Sequence, residues 1–328
     1  MAYLLQNTLT YTIPLMIVAL AGIYAERSGI INLALEGIMI MGAFIGVLVV
    51  YIFQKSGAFV KEDAMILMLL ALLIAAVVGA VFSLLLAFAA IHLKADQTIG
   101  GTALNLLAPA LALFLIKIVC NQSTLGMYTG DAASWFMLKK SDFGITGEMN
   151  LFQEVFMHKI YPTTYICILL YVVLSIVLYK TKFGLRLRAC GENPQAADSL
   201  GINVYKMRYT GVIFSGLLGG IGGFAYIAPA VQSWNFEMGV AGMGFLALAV
   251  MIFGQWKPFR ILFAALFFSL FRAMANIADS IPFLAQLHWP KEIYNMMPFI
   301  ASMVVLALTS KKRRAPKAEG VPYDKGMR

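Results

Sequence analysis

Residues 180–208 read KTKFGLRLRACGENPQAADSLGINVYKMR, the longest polar interruption of the chain that is also strongly basic. Lys180, Lys182, Arg186, Arg188, Lys206 and Arg208 bracket a centre that carries Glu192 and Asp198. Asn193 followed by Pro194 reads as a helix N-cap with proline at the first helical position. Gly201 reads as the left-handed residue that closes the same helix. Residues 194–200 then make about two turns, too few to be stable alone in water, so this helix is expected to lie against something. A short capped helix with basic flanks between two apolar spans reads as a docking element on the cytoplasmic face. A plain connecting loop is the competing reading.

Outward from that stretch the chain is apolar. Of its 328 residues 61% are hydrophobic and only 12% are charged, about half the charge of a soluble domain. Apolar runs of about 18 residues or more recur from end to end, which makes the fold class an all-α polytopic membrane protein. Spans are expected near 7–25, 30–53, 64–92, 98–120, 161–179, 209–230, 239–254, 259–278 and 293–309. That makes about nine, within a range of eight to ten. Residues 1–310 form the transmembrane domain, with a cytoplasmic loop at 181–207 and an outer loop at 121–160. The polar, basic end, 311–328, is expected to be a disordered cytoplasmic tail. The first apolar run leads directly into more spans and lacks a small-residue cleavage site, so it is expected to be a retained helix.

The net charge of +9 lies mostly in a few loops and the tail, as membrane topology requires, and is not a nucleic-acid signal. Placing the C-terminus in the cytoplasm puts Arg27, Lys94, the docking loop, Lys257, Arg260 and Lys311–Arg314 inside. The outer lysines are offset by Glu62, Asp63, Asp131, Asp142, Glu148 and Glu154. Nine spans then leave the N-terminus outside. Trp234 and Trp289 fall at outer interfaces and Trp256 at the inner one, as an aromatic belt would have them. Cys120, Cys167 and Cys190 are too scattered for a disulfide framework or a metal site. His92, His158 and His288 have no partner at a spacing that suggests a metal or a catalytic base.

Two polar clusters interrupt the spans. In GIINLALEGIMIMGAF, Asn32 and Glu36 are four apart, hence on one helical face if the span is continuous. They either bond neighbouring helix ends or line a translocation path. In KADQTIGGTALNLLAPALALF, Gln97, Thr102 and Asn105 are uncharged hydrogen-bonding groups suited to a neutral polar solute, while Gly100, Gly101 and Pro109 permit a broken or close-packed helix. The alternative is interhelical hydrogen bonding at ~1 kcal/mol per bond. The substrate-pathway candidates are therefore Asn32, Glu36, Gln97, Thr102 and Asn105. Gly216, Gly219, Gly220, Gly222 and Gly223 form small-xxx-small pairs and read as helix packing. No Gly-Lys-Ser/Thr follows, so they are not a phosphate loop. Asn235–Met238 mark either a rim contact for a delivery protein or a helix start. Arg272 either pairs with Asp279 or snorkels to the outer interface.

Taken in order, RSGIINLALEGIMIMGAF, KADQTIGGTALNLLAP, GLRLRACGENPQAADSLGINVYKMR and GFLALAVMIFGQWKP resemble the permease subunits of bacterial ABC importers. The branch is that of ribose-type sugar and branched-chain amino-acid permeases, and within it the simple-sugar/nucleoside subgroup. The resemblance covers about residues 20–260. It implies that Gly191, Glu192, Asn193, Pro194, Ala196, Ala197 and Gly201 couple to a separate ABC ATPase, which binds ATP and Mg2+. It implies a second, non-identical permease subunit and an extracytoplasmic substrate-binding lipoprotein. This chain would hold no catalytic residue, metal or cofactor of its own and would sit in the bacterial cytoplasmic membrane, in contact with lipid. The outer loop 121–160 matches no shared pattern.

An ion-coupled secondary transporter would need a proton or sodium relay and usually an internal repeat, and the intramembrane ionisable residues are few. A membrane enzyme would need a metal or nucleophile motif that the chain does not display. Polar groups with little buried charge suit a neutral polar solute; the resemblance points to nucleosides, then to simple sugars.

Overall fold

The computed structural model describes residues 2–126, 135–144, 149–230, 233–235, 239–277, 290–309 and 315–326. Its helices run in the order α1 (Ala2–Glu26), α2 (Leu35–Ser56), α3 (Ala64–Ile91), α4 (Gln97–Cys120), α5 (Leu151–Met157), α6 (Pro162–Lys180), α7 (Lys182–Glu192), α8 (Pro194–Ser199), α9 (Val204–Ala230), α10 (Met243–Phe253), α11 (Pro258–Ile277) and α12 (Lys291–Thr309). A three-residue antiparallel ribbon joins β1 (Thr124–Gly126) to β2 (Ser233–Asn235). Among the described residues, α1, α2, α3, α4, α6, α9 and α11 are long and apolar enough to cross a membrane. The fold is all-α and polytopic, as the composition requires. α10 is different: its 11 residues rise only about 16 Å, half of a ~30 Å hydrocarbon layer. The seventh expected span is therefore a half-helix.

α9 is the centre of the bundle. Its glycines put backbone against backbone: Gly216 and Gly220 lie on Gly79 and Ala75 of α3, Gly220 on Gly42 of α2, and Gly223 on the Met39 carbonyl. A Cβ at Gly220 would run into the Ala75 carbonyl oxygen. The packing reading of these glycines holds. α4 is the opposite case: 22% of its spanning window is buried against 83% for α1, and Leu106, Phe114 and Ile118 point outward. That face is built for lipid or another membrane chain.

Between α1 and α2 the chain is not helical. α1 ends at Glu26, Gly29 takes φ +96°, and α2 starts only at Leu35. Asn32 therefore precedes the helix and does not share a helical face with Glu36, which corrects the expected span 30–53. α4 runs unbroken through Gly100, Gly101 and Pro109. The irregular backbone permitted in that region is supplied by its neighbour, residues 27–34.

One face collects α7, α8, the start of α4 and the C-terminal segment. Residues 315–326 are packed there, contrary to the expected disorder. The Ala318 N–H donates to the Gly191 carbonyl (2.9 Å), the Gly320 N–H to Gly29 (3.1 Å), and the buried Arg208 guanidinium to Val321 (3.0 Å). Tyr323 is buried beside Cys190, Ala197 and Val204, and Lys94 pairs with Asp324. Backbone hydrogen bonds and one buried ring hold a segment whose polar composition suggested solvent. The N-terminal end of α1 lies at the opposite face, where Gln6 bonds the His158 carbonyl. The expected Arg272–Asp279 pair, the rings of Trp234 and Trp289, the side chains of 235–238, His288 and the basic run 311–314 lie outside the described residues.

Candidate functional site

The short helix expected at 194–200 forms as its sequence dictates. Thr181 caps α7 through its hydroxyl, which accepts from the Gly184 N–H (3.3 Å). Asn193 ends α7 and caps α8, its side-chain oxygen accepting from the Ala196 N–H (3.1 Å), with Pro194 at the first position. The exit is a Schellman turn: Ile202 N–H donates to Ala197 (3.1 Å), Gly201 N–H to Asp198 (2.8 Å), and Gly201 takes φ +79°. Pro194 and Ala197 face inward, while Gln195, Ala196 and Ser199 face out. Glu192 forms an ion pair with Arg27 at the end of α1 (3.1 Å), and Gly191 receives the C-terminal segment. The six-residue helix is thus clamped on its inner side and bare on its outer side. At its tip stands Leu200, 82% exposed. Leu200 was not among the sequence candidates; an apolar residue just before the closing glycine of a polar loop was the available signal.

The second cluster lies deeper. Residues 27–30 still make turn hydrogen bonds back to residues 23–26, but beyond them the backbone leaves the helical ladder until α2, which would be costly inside a membrane unless side chains take over. Side chains do so. The Gln97 side-chain oxygen accepts from the Ile31 N–H (2.7 Å). Asn105 accepts from the Gly37 N–H (2.8 Å) and donates to the Leu33 carbonyl (2.7 Å). Asn32 accepts from the Ala34 N–H (3.1 Å) and donates to the buried Ser215 hydroxyl of α9 (2.8 Å). Glu36, on the first turn of α2, accepts from the Gly242 N–H (3.0 Å) and the Gly244 N–H (2.7 Å). These groups open α10, so the carboxylate sits at the positive end of the half-helix dipole. Gly244 leaves no room for a Cβ against the Glu36 backbone.

The structure thus brings Asn32, Glu36, Gln97 and Asn105 together around two unwound segments. Thr102 is left out: it is exposed, and its hydroxyl bonds the Thr98 and Ile99 carbonyls of its own helix. Gly242 and Gly244 were not anticipated as partners of Glu36, because nothing in a Gly-spaced apolar run marks which glycine starts the helix.

On the face that carries α7 and α8, the Ile99 and Thr98 N–H groups hold the Asp96 carboxyl below the usual carboxylate range. Burial pushes the Cys190 thiol up to about 11, opposed by Arg208, so it is neutral at pH 7. Among the described residues no group of three or more His, Cys, Asp or Glu could hold a metal ion.

The family described as "Branched-chain amino acid transport system / permease component" matches residues 4–308. The chain belongs to that family. Among relatives, this permease is 40% identical over 323 residues to a nucleoside ABC transporter permease protein, NupC, of Lactococcus lactis subsp. cremoris, covering 98% of this chain and 96% of the relative. It is 39% identical over 329 residues to a guanosine ABC transporter permease protein, NupQ, of Bacillus subtilis, covering 100% and 98%. A second Lactococcus nucleoside permease, NupB, is 30% identical over 166 residues, or 49% of this chain and 44% of the relative. No solved structure matches the chain. The matched residues run from α1 to α12, with α8 and the half-helix α10 inside them.

Proposed function

We propose that this permease is one membrane subunit of an ATP-driven importer of nucleosides in the bacterial cytoplasmic membrane. Kinship along the whole chain with permeases named for nucleosides and guanosine carries the reading. The basic face carrying α7, α8 and residues 315–326 lies in the cytoplasm, and the ATPase receives α8 there, with Leu200 as its apolar contact. ATP and Mg2+ bind to the ATPase; this chain is non-catalytic and carries no cofactor. A lipoprotein delivers solute from outside. The second permease is a non-identical chain, since Lactococcus has two nucleoside permeases that resemble this one unequally. ATPase closure pushes α7–α8, and the two permeases alternate between outward- and inward-open cavities. Asn32, Glu36, Gln97 and Asn105 frame that path by holding the unwound backbone.

The test is uptake of labelled guanosine by vesicles holding the complete transporter, with and without internal ATP. ATP-dependent guanosine uptake is expected, with unlabelled ribose or leucine unable to compete. Leu200→Asp should leave the permease folded, because the side chain is exposed, and abolish both uptake and delivery-stimulated ATPase. Uptake that persists without ATP under an ion gradient, or that ribose inhibits and nucleosides do not, overturns the reading.

A further inference from the structure

Both ends of α10 are bracketed by left-handed backbone. Gly239, Ala241 and Gly242 (φ +53°, +53°, +74°) precede it, and Gln255 and Trp256 (φ +50°, +56°) follow it. Two consecutive non-glycine residues in this region persist only where the surroundings hold them. Three contacts do so. The Trp256 indole N–H donates to the buried Glu26 carboxylate at the end of α1. The Trp256 carbonyl accepts from the Tyr179 hydroxyl near the end of α6. Arg260 donates to the Gln255 side chain (2.7 Å). Trp256 is itself buried, its indole held by protein groups.

Tyr179 has a second neighbour. The Arg188 guanidinium of α7 stacks over its ring, 4.9 Å from the centroid. A continuous set of contacts therefore leads from α7, through Tyr179 and Trp256, to the C-terminal end of α10. The other end of the same half-helix is gripped by Glu36. α10 is short and hinged at both ends. Its body packs on α1, with Met251 against Gly22. A displacement at Trp256 is therefore delivered to the Gly242–Glu36 clasp without being absorbed in a long span.

We propose that Trp256 is a positioning residue for transport: it transmits movement of α7–α8 to α10 and so sets the Glu36 clasp. The proposal rests on the importer reading above. Trp256→Phe keeps the aromatic bulk and removes the indole donor; Tyr179→Phe removes the hydroxyl. In the reconstituted transporter, each variant should keep nucleoside-stimulated ATPase within about twofold of wild type while nucleosides moved per ATP fall about tenfold, with KM for uptake unchanged. The double variant should be no worse than either alone, because both cut one path. Glu26→Gln, which keeps an oxygen to accept the indole N–H, should stay near wild type. A structural role would instead lower folded yield, ATPase and uptake together and leave the ratio unchanged. If Trp256→Phe folds poorly, Tyr179→Phe decides. An unchanged ratio in Tyr179→Phe, or additive losses in the double variant, overturns the proposal. Absence of nucleoside-stimulated ATPase in the wild-type complex would instead strike the importer reading.

Discussion

The crossing of α9 with α2 and α3 and the clasp between α2 and α10 lie within a few turns of each other and are built on opposite principles. At the crossing, glycines let backbones touch, and the contact is steric, apolar and without slack. At the clasp, Glu36 accepts from the start of α10, and the unwound backbone before α2 is held by side-chain hydrogen bonds from Asn32, Gln97 and Asn105. Such bonds can be exchanged for others at small net cost; interlocked backbones cannot slide without separating. In the proposed transport cycle the crossing is expected to be the frame and the clasp the moving part.

Substitutions should separate the two. Gly220→Leu places a side chain against the Ala75 carbonyl and is expected to leave no monodisperse protein on size-exclusion chromatography in detergent. Recovery of a folded, active variant would break the distinction. Glu36→Ala strands the Gly242 and Gly244 N–H groups, at about 1–3 kcal/mol for each. Protein should still be recovered, with thermal stability lowered and uptake reduced at least about tenfold. Glu36→Gln keeps one acceptor and should fall between. Asn105→Ala strands the Gly37 N–H of α2 and the Leu33 carbonyl of the unwound segment, again at about 1–3 kcal/mol for each, read by thermal unfolding in detergent, with a smaller loss of uptake than Glu36→Ala.

The smallest effect belongs to the exposed Lys94–Asp324 pair, which helps fasten the C-terminal segment. The Lys94 partner lowers the Asp324 pKa, so that contribution is present above the ordinary aspartate value and is lost as pH falls through the lowered one. Asp324 raises the Lys94 pKa, so that contribution is present below the ordinary lysine value and is lost as pH rises through the raised one. Asp324→Asn should therefore leave thermal stability nearly unchanged at neutral pH, and what difference exists should vanish in acid and in high salt.

Much of this was legible in the sequence. Asn193-Pro194 and Gly201 are chemically committed to a cap and a left-handed stop, so α8 could be read to within a residue. The glycine run declared close packing because no other residue tolerates it. The break at 27–34 was hidden, since Ile30–Leu35 is as apolar as the helix that follows; besides Asn32 itself, it depends on Gln97 and Asn105, some seventy residues on. The half-length of α10 was hidden likewise, because GFLALAVMIFG reads as one continuous span and its start depends on a carboxylate from α2. The C-terminal segment looked soluble because its hold is mostly through backbone groups, which composition does not register.

The most direct test of the frame-and-clasp account is a pair of spin–spin distances in the assembled transporter, measured by double electron–electron resonance with ATP and with ADP. Labels at Leu85 and Lys206, both exposed, report α3 against α9; labels at Leu85 and Phe245, both exposed, report α3 against α10. The account predicts an unchanged first distance and a second that shifts by several ångströms between nucleotide states, on the order of the 1–5 Å helix movements of known switches. A shift in the first distance with the second fixed would contradict it.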